Sequence, residues 1–354
     1  MAETRALVKS LFSLTKPRVV VLLQITAMCA ILSHDLIETN KINQSTLEVM
    51  MIVFIGGYLT AGGANCINMW YDRDIDPIMT RTSKRPLSVG DITPKKALLF
   101  GISISIIGTL WLLKMANEVA AFWALFSILF YVFIYTIWLK RTSVQNIVIG
   151  GIAGSTPPVI GWAAAEGELE LEFSSAHDFI DSIVNIGGYM PWFMFLLIFL
   201  WTPPHFWALA LYRSGEYEKV GVPMMPNVKG KGRTLVEMKI YSILLILLSL
   251  TTPLAFQEKS NWIELSDLDF NISLAVINSL ILSIWYVLTV WKININDEND
   301  IMPTASHSFF VSLTYLAVMF MILVLTSINF VIKGSIVSTV LVLYIILRKR
   351  GGKE

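Results

Sequence analysis

The 354-residue chain is 55% hydrophobic and only 15% charged, against roughly 45–50% and 25% in soluble domains, and its mean hydropathy is +0.64, which together mark a polytopic membrane protein. A net charge of +1 argues against a nucleic-acid partner, and the basic residues instead cluster in alternate loops, as the membrane-orientation rule requires. Cys29 and Cys66 stand inside apolar runs with no CxxC or histidine spacing, which excludes a thiolate metal site and a disulfide framework.

Residues 1–16 carry no signal-peptide pattern, and the spacing of Leu7, Leu11, Phe12 and Leu14 predicts an amphipathic helix lying on the membrane surface. Apolar stretches of about 20 residues, the length needed to span a bilayer, follow near 18–36, 47–70, 95–114, 118–139, 144–164, 189–212, 236–256, 271–291 and 307–331. The expected fold is therefore an all-α membrane bundle of nine helices over residues 17–331, preceded by the surface segment and followed by a tail, 332–354. Arg5, Lys9, Lys16 and Arg18 precede the first span, Arg73 to Lys96 follow the second, Lys140 and Arg141 the fourth, and Lys219 to Arg233 the sixth. These loops and the N-terminus are expected to be cytoplasmic at the cell membrane. The loop 165–188 is rich in Glu and Asp and is expected outside. The run from Ser335 to Leu347, ending in Arg348, Lys349 and Arg350, is either a tilted tenth helix or an interfacial tail.

The second span ends in the densest chemistry of the chain, AGGANCINMWYDRDIDPIMTRTSKRPL over residues 61–87. At about 100° per residue, Asn65, Asn68, Asp72 and Asp76 fall on one helical face and Asp74 points away. Carboxylates at i and i+4 repel, so the face makes sense with a cation between them. Oxygen-only ligands point to Mg²⁺, which takes one or two carboxylates plus substrate phosphates, and Arg81, Lys84 and Arg85 follow to meet phosphate charge. The alternative is a solvated helix cap, but a cap uses one or two polar residues. Gly56, Gly57, Gly62 and Gly63 on this span and the Gly150xxxGly154 spacing on the fifth read as close helix packing. Pro157–Pro158 and Pro203–Pro204 are expected to break the fifth and sixth spans beside a pocket.

The sixth span, WTPPHFWALALYRSGEYEKVGVPMMP, again ends in charge. Trp201, His205, Tyr212 and Glu216 share a face, with a histidine at membrane depth, where ionisable groups are functional candidates; a helix-helix hydrogen bond is the plainer reading. The two designs predict polar ends converging on one cytoplasmic-side cavity.

The Asn68xxxAsp72xxxAsp76 pattern resembles the UbiA-type intramembrane prenyltransferases. NMWYDRDIDPIMTRTSKRPL, YTIWLKRTSVQNIVIGGIAGSTPPVIGW, WTPPHFWALALYRSGEYEKVGVPMMP and ASHSFFVSLTYLA are more specific and are similar to the branch that farnesylates haem, the protohaem IX farnesyltransferases. The resemblance implies a nine-helix bundle joining farnesyl diphosphate to a vinyl group of haem B with Mg²⁺, giving haem O for a downstream haem A synthase or terminal oxidase. By position, it implies that Asn68, Asp72 and Asp76 hold Mg²⁺ and diphosphate, with Asn65, Arg81 and Arg85 at polar positions of the site. His205 matches the branch's Pro-Pro-His position and would serve the haem, with Trp201, Arg213 and Tyr217 beside it. Where this chain has Glu216 the branch usually has Asp, so a second metal contact would come from a longer side chain, and the acidic loop 165–188 has no catalytic counterpart.

The residues fit this chemistry independently. An allylic diphosphate ionises when metal and fixed cations absorb the leaving charge; Arg81, Lys84, Arg85 and Lys140 are the available donors, although Lys140 and Arg141 also read as orientation anchors. Tyr135, Trp201 and Phe206 are candidates for the aromatic wall around the allylic cation. Two rival readings are a UbiA-type enzyme with another acceptor (an aromatic acid, a quinone precursor or a glycerol phosphate) and a transporter, since broken helices with charged ends also build carrier sites.

Overall fold

The structure, a computed structural model, describes residues 2–256, 270–296, 302–328 and 337–345. Among these every regular element is helical: α1 (Ala2–Leu14), α2 (Pro17–Glu38), α3 (Gln44–Tyr71), α4 (Pro94–Met115), α5 (Glu118–Leu129), α6 (Asn146–Ser155), α7 (Pro157–Ala165), α8 (Ala176–Val184), α9 (Met190–Tyr212), α10 (Met225–Leu250), α11 (Phe270–Trp291) and α12 (Pro303–Ser327). Starts follow local chemistry. Asn43 and Thr46 form a reciprocal capping box at α3, and the Asn117 and Ser175 side chains accept from the first turns of α5 and α8. Pro17, Pro94 and Pro157 occupy the first turns of α2, α4 and α7, where a missing N–H costs nothing.

Eight helical stretches among the described residues are long and apolar enough to cross a membrane. The seventh expected span, 236–256, is interrupted: α10 stops at Leu250 and helix resumes only for Thr252–Ala255, around Pro253. The break at Pro157 is found, with Thr156 between α6 and α7. Pro203 and Pro204, by contrast, do not break the sixth span: α9 runs unbroken from Met190 to Tyr212. Their fixed φ suits a helix, and both residues are buried in a helix packed against several others, which hold the turn despite the lost hydrogen bonds. Within the stretch expected as a tenth helix or an interfacial tail, residues 337–345 are helical and dock on α11, where the Asn278 amide donates to Ser338 and Thr339 at 2.9 and 3.0 Å. The basic end, Arg348 to Arg350, lies outside the described residues.

Helix α3 lies along α4, α2 against α7 and α3, and α9 against α10, α12 and α6. The α3–α4 approach depends on Gly63, where a Cβ would stand 2.1 Å from Ser105 Oγ and 2.7 Å from the Gly101 carbonyl. At the end of the bundle remote from Asp72, His34 is buried between Asp35 (2.8 Å) and Glu166 (3.0 Å), and Asp35 accepts from Thr46 at 2.5 Å. That network ties α2, α3 and the end of α7 together.

Candidate active site

Helix α3 ends at Tyr71 and tightens into a 3₁₀ turn over Asp72–Asp74, which corrects the expectation of one continuous helix carrying all four polar residues. Pro77 disfavours helix at Asp76, and the Asp76 carbonyl is taken by the Thr82 hydroxyl at 2.7 Å. The Asp76 N–H still reaches the Asp72 carbonyl at 2.9 Å, so the side chains keep a common inward direction. Asn65, Asn68, Asp72 and Asp76 are all buried, while the Asp74 side chain is 58% exposed on the other side.

Each inward group has a partner. Asn68 donates to Asp72 Oδ2 at 3.0 Å and to Thr136 Oγ1 at 3.1 Å. Lys140 makes a close ion pair with Asp72 Oδ2, and Arg85 Nη1 donates to Asp76 Oδ2 at 2.6 Å. Asn65 instead spends its amide on the Thr15 carbonyl, 3.2 Å away, fixing the junction of α1 and α2. Lys84 lies exposed in the loop, as does Arg81.

Lys16 is the site residue that charge counting had assigned only to orientation. It adopts a left-handed backbone, φ 51°, a conformation that costs energy for a non-glycine residue and persists where its surroundings enforce it. Its Nζ donates to Asn68 Oδ1 at 2.7 Å. Burial, and then the neighbouring Arg85 and Lys140 charges, hold its ammonium well below the ordinary lysine range, against the pull of Asp72 and Asp76. The sequence signal was Lys immediately before the proline that opens α2.

After α5 the chain continues as a π-helix over Phe130–Leu139 and then Lys140–Thr142. The π segment sets Thr136 against Asn68 and Lys140 against Asp72, with Tyr131 and Tyr135 stacked at 5.3 Å. Gly150 is what admits Tyr135: a Cβ there would lie 2.3 Å from the ring. Gly154 faces open space, so the Gly150xxxGly154 pair is not a helix-packing motif here.

The second constellation also assembles. His205 is sandwiched between Trp201 and Phe309, with ring centroids 4.1 and 4.5 Å away, and its Nδ1 meets Ser312 Oγ at 2.6 Å. Trp201 Nε1 donates to the Ser312 carbonyl at 2.9 Å. Phe309 and Ser312, on α12, were not singled out by the sequence because nothing local distinguishes them from other bundle residues. Phe206 packs edge-on against His205 and is partly turned outward. Arg213 donates to Glu216 Oε1 at 2.9 Å. Burial pushes the Tyr217 hydroxyl up, with Arg81 and Lys140 opposing and Tyr135 adding to the rise, so Tyr217 belongs to the same charged space as the first constellation.

Among the described residues two buried carboxylate oxygens have no hydrogen-bond partner, Asp72 Oδ1 and Glu216 Oε2, and such orphans suit a cation. No three His, Cys, Asp or Glu side chains among the described residues form a metal cage. A Mg²⁺ ion fits here in the manner usual for it, on one or two carboxylates with phosphate oxygens completing the shell. Asp72 would be a protein contact of such an ion, with Asn68 bonded beside it; Asp76 and Glu216 do not join it in one three-carboxylate cage.

The model of the UbiA prenyltransferase family matches residues 26–314. A protoheme IX farnesyltransferase of Bartonella tribocorum is 40% identical over 317 residues, 89% of each chain. The enzyme of that name from Symbiobacterium thermophilum is 45% identical over 69% of this chain and 74% of its own, and protoheme IX farnesyltransferase 2 of Mesorhizobium japonicum is 39% identical over 87% of each. Among solved structures, one described for digeranylgeranylglyceryl phosphate synthase superposes with a TM-score of 0.66 at 18% identity, covering 93% of this chain and all of that one. A UbiA homolog from Archaeoglobus fulgidus bound to DMAPP and Mg²⁺ gives 0.57 at 15% identity, covering 91% of this chain and all of its own. Both share the fold.

Proposed function

The chain belongs to the UbiA prenyltransferase family, and from that premise we propose that it transfers the farnesyl group of farnesyl diphosphate to a vinyl group of haem B, adding water and releasing diphosphate to give haem O. The observation that carries this reading is the 40% identity, over 89% of both chains, to a protoheme IX farnesyltransferase. Family membership sets the carrier reading aside.

Lys16, Arg85 and Lys140 surround Asn68, Asp72 and Asp76 and bind the diphosphate; Arg81 joins them from the loop. Bound Mg²⁺ supplies additional neutralisation of charge on the leaving diphosphate. As the C–O bond breaks, its electron pair leaves with the diphosphate, and the fixed cations stabilise that charge without reorganising. Tyr131 and Tyr135 offer π faces to the allylic cation and hold no strong nucleophile against it. The vinyl π electrons form the new C–C bond, the positive charge moves to the carbon beside the porphyrin, and water adds there and loses a proton.

His205 holds the haem. Its Nδ1 is fixed by Ser312, which orients the ring and leaves Nε2 for the iron or a propionate, in the way that a hydrogen bond on one ring nitrogen orients a histidine that ligates through the other. Trp201 and Phe309 wall the ring, and Arg213 and Tyr217 lie toward the charged end. The active site and N-terminus face the cytoplasm at the cell membrane, and the product passes to a downstream haem A synthase or terminal oxidase.

The test is extraction of haems from membranes of a host expressing the chain with haem B and farnesyl diphosphate. A species heavier than haem B by one farnesyl group plus one hydroxyl group is expected; unmodified haem with a different prenylated acceptor would overturn the haem assignment and leave the family's chemistry in place.

A further inference from the structure

Arg141 lies between two carboxylates. On its outer side Asp74 takes both ends of the guanidinium fork, Nη1 to Oδ2 and Nη2 to Oδ1, each at 2.7 Å. Nη2 also donates to the Tyr71 carbonyl at 3.2 Å, and the guanidinium rests 4.7 Å over the Tyr71 ring. On its inner side stands Asp72 Oδ1, 3.6 Å from Nη2, too far for a hydrogen bond. That oxygen is buried and without a partner, whereas Oδ2 is already held by Lys140 and Asn68. The 3₁₀ turn over Asp72–Asp74 sets the two carboxylates on opposite sides of the backbone, one for each flank of Arg141.

We propose that Asp74 is a positioning residue that holds Arg141 away from Asp72 Oδ1 and so keeps this oxygen free for the divalent cation that accompanies the diphosphate. The inference rests on the metal–diphosphate reading of the site. Two carboxylates compete for one guanidinium, and the bidentate geometry decides for the outer one. With Asp74 neutralised, the closest carboxylate oxygen left to Arg141 is Asp72 Oδ1, and a shift of under an ångström would complete a charge-assisted bond in a buried setting where such bonds are strong. An Asp72 clamped by Lys140 on one oxygen and Arg141 on the other competes poorly for a metal. Asp74 thus acts on the site through Arg141, although it is exposed and touches no substrate.

The test is binding of Mn²⁺, followed by its EPR signal, to the full chain in lipid nanodiscs with farnesyl S-thiolodiphosphate, a donor analogue that resists ionisation. Asp74→Asn is expected to weaken Mn²⁺ binding by about tenfold, the scale of one charge-assisted contact, while half-maximal metal for turnover rises and the rate at saturating metal changes less. Asp74→Ser should do the same with a smaller side chain, and Asp74→Glu, which keeps the charge, should restore most of the affinity. Arg141→Gln is expected to bind Mn²⁺ as tightly as the unsubstituted protein, and adding Asp74→Asn to it should cost nothing further. Undiminished binding in Asp74→Asn and Asp74→Ser, or a double variant as weak as Asp74→Asn alone, would overturn the role of Asp74. Absence of analogue-dependent Mn²⁺ binding in the unsubstituted protein would overturn the metal–diphosphate reading itself.

Discussion

Asp72 is fully buried yet sits against Lys140, Asn68 and, at longer range, Arg141. Removing the cation from such a pair leaves an uncompensated buried charge, at a cost of about 3–5 kcal/mol, whereas Asp→Asn keeps the shape and loses the charge. Asp72→Asn and Asp76→Asn are therefore expected to insert and fold, and to lower turnover by at least about 10²-fold each, the scale of one lost electrostatic contact in a transition state; assays on purified protein check this. Lys16→Met should lower turnover similarly, but without loss of thermal stability, because it relieves the burial of an ammonium that desolvation already disfavours. A parallel fall in stability would mean that Lys16 holds the α1–α2 junction rather than the donor. His205→Ala should weaken haem binding while leaving metal-dependent binding of a farnesyl diphosphate analogue intact, and Asp72→Asn should do the reverse. Simultaneous loss of both ligands and of folded protein in His205→Ala would make the histidine a packing residue between Trp201 and Phe309.

The element that sets the site's register is the π-helix Phe130–Leu139. A π turn inserts a residue relative to an α turn, and this changes which side chains of the fourth span face α3: Thr136 and Lys140 both reach Asn68–Asp72, with Tyr131 and Tyr135 alongside. Hydropathy sees only an apolar run there. The facing helix α6 accommodates it at Gly150, so Gly150→Ala must push the Tyr135 ring aside. A displacement of that order in a positioned group is enough to cost about 10²-fold in rate, and the variant is expected to lose turnover while keeping its melting temperature and its affinity for the diphosphate analogue. Unaltered turnover would show that the ring has room to move without consequence. Helix α9 shows the opposite outcome, since two prolines that read as a break are carried inside an unbroken helix.

At the scale of the whole bundle, the charged ends of α3 and α9 lie together with the end of the π segment, and the His34–Glu166 network closes the other end. A topology reporter inserted in 165–188 should report the outside and one in 216–233 the cytoplasm. The reverse result would put the diphosphate site and the basic loops together on the outer side and would remove the orientation argument drawn from Lys and Arg.

The sequence by itself determined the class of the molecule, the limits of most membrane helices, and the two polar constellations, because apolar length and the placement of charged residues at helix ends are local properties. Asn68, Asp72, Asp76 and Arg85 were legible for the same reason: their spacing is short and their chemistry cannot be hidden in an apolar run. The tertiary structure alone decided what pairs with what. Lys16 and Asn68 are 52 residues apart, Asp72 and Lys140 68, and His205 and Ser312 107, separations over which no periodicity carries information. The π register likewise depends on packing against α3 and α6, and the continuity of α9 through Pro203–Pro204 on the neighbours that bury them. Asp74 shows the difference most directly: its position on the chain put it outside the site, and its bond to Arg141, fixed only when the fourth span folds against the second, connects it to the site again.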